Sequence, residues 1–213
     1  MRLLARGLDG SPWIATASWL LLVLLALGSP TSLTAAEKHL QQLAEAQELV
    51  DAGDAEGAIK LLNKAVKAKP PLAEAFLLRS TASFMVGDLE TGRSDLERAL
   101  ELDPSLRQGW LNRAALDLSE GDHDAALEAL IKARDLDPSA SDNNLNIGVV
   151  LVLKGDLEAA NQHFQAHIQR LGGSAEAYYV VASNYAMAGF AGPAIEHLKH
   201  AIQLDERVRL QAR

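Results

Sequence analysis

Beyond residue 36 the apolar positions recur with a helical period, and the whole pattern returns every 34 residues. Leu62, Leu96, Leu130, Phe164 and Leu198 form a large apolar column, and Ala58, Gly92, Ala126, Ala160 and Ala194 form a small one. Gly53, Gly87, Gly121, Gly155 and Gly189 share the register, as do Pro70, Pro104 and Pro138. Each period predicts two helices hinged at the glycine. In four units Asp54, Asp88, Asp122 or Asp156 follows the glycine, so the glycine ends one helix in a left-handed conformation and the aspartate caps the next. Lys69-Pro70, Asp103-Pro104 and Asp137-Pro138 are expected to stop each second helix, because proline restricts its predecessor and lacks an amide donor. Val149 to Leu153 is β-branched enough for a strand, yet the register assigns it to a first helix.

These columns resemble the tetratricopeptide repeat (TPR) pattern: an aromatic at position 4, a small residue at 8, an aromatic at 11, Ala at 20, an aromatic or Leu at 24, Ala at 27 and Pro at 32. The third unit matches with Trp110, Ala114, Ala126, Leu130, Ala133 and Pro138. The fifth matches with Tyr178, Ala182, Tyr185, Ala194, Leu198 and Ala201. The resemblance implies an all-α fold, an α-solenoid of about five helix-turn-helix repeats forming a right-handed superhelix. The repeats are residues 39–72, 73–106, 107–140, 141–174 and 175–208, followed by a C-terminal helical extension at 209–213. Pro193 is expected to open a helix that continues through Asp205 towards Arg213, where Arg207, Arg209 and Arg213 meet its negative end as a cap.

In this family, positions 2, 5, 6, 9, 12 and 13 of each first helix face a concave groove. The resemblance therefore implies a peptide-binding site made of Leu77, Leu78 and Phe84 in the second repeat and Leu111, Asn112 and Leu118 in the third. The fourth repeat adds Leu145, Asn146 and Val149, and the fifth Tyr179 and Met187. Asn112 and Asn146 occupy the same position of successive repeats. A carboxamide donates and accepts, so both can pair with a peptide backbone whatever its side chains; against this stands simple tolerance of Asn on a half-exposed face. Relatives that clamp the acidic C-termini of cytosolic chaperones place Lys or Arg where this chain has Leu77, Asp142 and Asn146, so that chaperone clamp is not expected.

The 36 residues ahead of the repeats read differently. Arg2 and Arg6 precede an uncharged run, Trp13 to Leu27, too short to cross a bilayer comfortably, and Thr34-Ala35-Ala36 suits a signal peptidase. Residues 1–36 are expected to be a signal peptide cut after Ala36, or a signal anchor. Thr34 with Glu37 also reads as a helix capping box, which cleavage would remove. Either way the repeats are expected outside the cytoplasm, in a periplasm or equivalent lumen, with membrane contact only through residues 13–27 if the signal stays. The chain has 213 residues, no cysteine and a net charge of -8. Disulfides and thiolate metal sites are excluded, and 20 basic against 28 acidic residues disfavours nucleic acid.

Candidate chemistry is sparse. His163 and His167 lie one turn apart, with His197 and His200 one repeat on, but no HExxH motif accompanies them and no metal or other cofactor is expected. His167 replaces the alanine of Ala65, Ala99, Ala133 and Ala201, which suggests looser packing, with a bend where Gly172-Gly173 replaces the proline. There is no phosphate-cradling loop and no nucleophile-base pair, so no enzyme activity is expected. The expected function is an exported scaffold that binds a protein or peptide segment in its groove and aids assembly of an envelope or membrane complex; the alternative is a carrier of an apolar small molecule in the same groove.

Overall fold

The computed structural model describes residues 35–205, with side chains from Glu37 onward. These residues form ten α-helices and no strand: α1 (Ala35–Asp51), α2 (Ala55–Ala65), α3 (Ala73–Met85), α4 (Leu89–Leu102), α5 (Arg107–Glu120), α6 (His123–Leu136), α7 (Asn143–Leu153), α8 (Leu157–Arg170), α9 (Ala175–Met187) and α10 (Ala191–Leu204). The strand-like run Val149 to Leu153 lies in α7. The signal segment, the Thr34 half of the capping box and the extension at 209–213 lie outside the described residues.

The hinges follow from two adjacent residues. Gly53, Gly87, Gly121, Gly155 and Gly189 all have φ between +79 and +85°, a region open to glycine without steric cost. The next amide then reaches back to close the old helix: Asp54 N–H donates to the Leu49 carbonyl at 2.8 Å, and Asp156 N–H to that of Leu151 at 3.0 Å. The same aspartate opens the new helix. Its Oδ1 accepts from Gly57 N–H at 2.9 Å, and the equivalents at Asp88, Asp122 and Asp156 accept from Thr91, Ala125 and Ala159 at 3.0 to 3.1 Å. The fifth hinge has Phe190 in that place and no side-chain cap.

Second helices end for a reason other than proline alone. Asp103 and Asp137 are extended, and each Oδ1 accepts from the amide and hydroxyl of a serine two residues on, at 2.6 to 2.9 Å. Asp205 adopts the same extended geometry, φ -151° and ψ 113°, with no proline after it. Helix α10 therefore stops at Leu204, rather than continuing through Asp205, and it begins two residues before Pro193. Helix α2 stops at Ala65, four residues short of Lys69.

The chain forms two compact units that divide within α5, between Asn112 and Arg113. In the first, α1 packs on α2 and α3, α2 on α3, and α3 on α4, around Ala46, Ala58, Leu62 and Ala65. In the second, α7 is flanked by α6, α8 and α9, and α9 by α8 and α10. Enclosure on three sides explains why Ile147 through Val152 are all buried.

The small columns set how closely helices approach, and two glycines in them admit an aromatic ring. A Cβ on Gly92 would sit 2.5 Å from Phe84, and one on Gly148 would sit 2.5 Å from Phe164. Arg79 ties three helices of the first unit together. From α3 its Nε and Nη2 donate to the buried Asp95 carboxylate of α4 at 2.6 and 2.8 Å, and its Nη1 to Asn63 Oδ1 of α2 at 2.8 Å. The Asp95 hydrogen bond holds the Arg79 guanidinium above its ordinary range, against the opposing effect of burial.

Candidate functional site

The first helices of the repeats, α3, α5, α7 and α9, carry the expected binding residues, and the structure sorts these by exposure. In the first unit Leu78, Phe84, Leu111 and Asn112 are half-buried, and Met85 beside them is exposed. Leu77 is only 8% exposed and belongs to the core, so it offers a ligand little surface. Phe84 is committed on one side, where its ring lies against Gly92.

In the second unit Leu118, Leu145, Asn146 and Tyr179 are half-buried, and Met187 stands out at 63% exposed. Val149, at 6%, is core. The cause is the position of α7, which neighbouring helices enclose more fully than a helix lining an open groove.

The two asparagines differ in what they have left to offer. Asn112 Nδ2 donates to Thr81 Oγ1 at 3.1 Å, and its Oδ1 accepts from Gln108 Nε2 at 2.9 Å. Thr81 passes its own hydrogen to the Leu77 carbonyl at 3.1 Å, so the Asn112 amide plane is held in a short network. One amide hydrogen and one lone pair remain for a ligand. Asn146 Nδ2 makes only a long 3.4 Å contact with Asp142 Oδ2. A pre-oriented carboxamide in one unit and a loosely held one in the other can both pair with a peptide backbone. Thr81, a groove position of the second repeat by the family register, is the residue that holds Asn112 in place.

The four histidines singled out by their spacing each contact a residue of the same unit. His167 is buried, and its Nδ1–H donates to the Ser141 carbonyl at 3.2 Å, so the replacement of alanine by histidine ties α8 to the start of its repeat instead of loosening it. His163 Nδ1 lies 3.0 Å from Asn144 Oδ1. His197 stacks on Tyr185 with ring centres 5.7 Å apart, and Tyr178 stacks on His200 at 5.3 Å. Burial pushes His163, His167 and His197 below the ordinary imidazole range. Among the described residues no three metal-ligating side chains converge. At the break after α8, Gly172 and Gly173 both take φ of +66°.

The family model for the tetratricopeptide repeat matches residues 43–107 and 111–176. The chain belongs to the tetratricopeptide repeat family. No curated protein sequence matches it as a relative. Among solved structures, one of MamA MSR-1 superimposes with a TM-score of 0.62 at 21% identity, covering 80% of this chain and 98% of that one. Another MamA structure gives 0.63 at 22% identity, covering 81% and 94%. YrrB, described as a TPR protein with an unusual peptide-binding site, gives 0.61 at 21% identity, covering 80% and 89%. At these identities the TPR likeness is one of fold.

Proposed function

We propose that this TPR protein is a non-enzymatic scaffold that binds a protein or peptide segment along the exposed faces of its first helices. The observation that carries the reading is that each unit keeps both partly or fully exposed apolar side chains and a carboxamide on its first helices: Leu78, Met85 and Asn112 in the first, Tyr179, Met187 and Asn146 in the second. YrrB, a TPR protein of similar fold with an unusual peptide-binding site, is consistent with such use. Burying a few hundred Å2 of this surface would supply several kcal/mol at about 25 cal/mol per Å2, before ordering costs, which suits reversible contacts. The basic-apolar-small order of the first 36 residues supports export, and with it a role in assembling an envelope or membrane complex.

The test is capture of a partner from an envelope extract by the immobilised protein, repeated with Asn112→Ala, Asn146→Ala and Met187→Glu. We expect Met187→Glu to abolish capture and each alanine to weaken it several-fold, by about 1 kcal/mol for a lost hydrogen bond. Capture unaffected by all three would show that these faces are not the binding surface.

A further inference from the structure

Within each unit, a hairpin is covered by the first helix of the following repeat, and that helix presents a stripe of three residues spaced by four. Helix α9 covers the α7–α8 hairpin with Ala177, Val181 and Tyr185, all buried, and the Tyr185 ring meets Phe164 edge-on at 5.1 Å. Helix α7 presents Asn143, Ile147 and Leu151 in the same places, and α3 presents Ala75, Arg79 and Ser83. The stripe runs from a small or short residue through a middle one to a third buried residue, which at Tyr185 packs on Phe164 of the large apolar column.

The last hairpin, α9–α10, carries the same surface without that cover among the described residues. Leu198 stands one repeat after the fully buried Phe164, yet it is half-exposed, and Ile195 beside it is 52% exposed. Between them and Tyr179, Ala182 and Ala194 lies a solvent-open cavity of about 410 Å3. Lys199, exposed, falls in the column of Asn63, and Asn63 accepts its hydrogen bond from Arg79, the middle residue of the covering stripe. Whatever covers this face therefore meets a positive charge at its middle position.

We propose that the open face of α9–α10 docks an amphipathic helix of a partner protein bearing a small, an acidic and a large apolar residue at successive four-residue intervals. This rests on the reading of the chain as a protein-binding scaffold and adds a second, end-on surface to it. Helix α1 of a second copy fits poorly. It offers Glu45 and Leu49, but Gln41 stands where Ala75 and Ala177 are fully buried, and Glu48 where Ala82 and Val150 are, so docking would bury a carboxylate. The chain's own residues 206–213 hold Arg207, Arg209 and Arg213 against the single side-chain carboxylate of Glu206, a net charge of the same sign as Lys199.

The probe is a synthetic peptide of the α9 sequence, residues 175–187, carrying Glu in place of Val181, titrated into the full chain by fluorescence anisotropy. We expect saturable binding that Ile195→Asp abolishes and Lys199→Glu weakens at least tenfold, while the same peptide with Lys in the middle prefers the Lys199→Glu chain. Lys199 is exposed, so its reversal leaves the fold intact. No binding, or equal binding to both chains, overturns the proposal. A concentration-dependent dimer in light scattering that Ile195→Asp dissolves would assign the face to a second copy, and binding seen only after deletion of 206–213 would assign it to the chain itself; either also overturns it. A captured partner that is lost with Met187→Glu but indifferent to Lys199→Glu would leave the scaffold reading standing without this surface.

Discussion

At Gly148 the missing side chain is what lets the Phe164 ring lie against α7, and at Gly92 the same exchange admits Phe84. Both glycines occupy columns that hold alanine or serine elsewhere, and in each case the larger residue has moved to the facing column, so volume is conserved across the contact. Gly148→Ala should therefore destabilise the protein by about 1 to 3 kcal/mol, despite the better helix propensity of alanine, because the ring has no space to yield into. Combining it with Phe164→Leu should recover part of that loss. Urea unfolding midpoints of the single and double variants check this; a Gly148→Ala protein as stable as its parent would contradict the packing described.

At the scale of helices, α8 and α10 hold three buried or half-buried histidines that are expected to make stability depend on pH. The imidazoles of His163, His167 and His197 sit below their ordinary range, chiefly through burial. Arg134 reinforces the effect at His163, whereas the Ser141 carbonyl and Asp142 oppose it at His167, and Glu196 opposes it at His197. A folded-state pKa below the unfolded one means the unfolded chain takes up protons first. The stability these groups confer is thus intact above about pH 6.5 and declines as pH falls below it towards the folded values. His197→Phe keeps a ring against Tyr185, removes a buried Nδ1 that has no hydrogen-bond partner, and should make stability fall less between about pH 7 and 5. An unchanged slope in urea titrations across that range would show that His197 is not among the groups responsible.

The helices and their hinges were legible in the sequence because a Gly-Asp pair does two jobs that no other pair does as well, and it recurs at fixed spacing. Helix ends were less legible where proline is the only obvious stop signal. Asp205 shows that the extended aspartate suffices, and α2 stops short of Lys69 with neither an aspartate nor a proline at its end. Exposure was the least legible. Leu77 and Val149 sit at positions that face a groove in the family, but whether a residue lines a surface or fills a core depends on how many helices flank its own, and that is a tertiary property.

For the molecule as a whole, a formal charge of -8 and the absence of cysteine fit a domain stabilised by local stacking rather than by cross-links. Each unit contributes its own exposed apolar positions, and neither contains a convergent metal-binding constellation among the described residues. The proposed function makes the exposed first-helix faces the surfaces that contact another protein. Site-specific photo-crosslinking in intact cells tests that most directly, with the reactive group placed at Leu78 or Met187 and, as controls, at the exposed second-helix positions Glu97 and Lys132. The expected result is a discrete protein adduct from Leu78 and Met187 that is absent from the controls; adducts from the controls alone, or from none of the four, would contradict it.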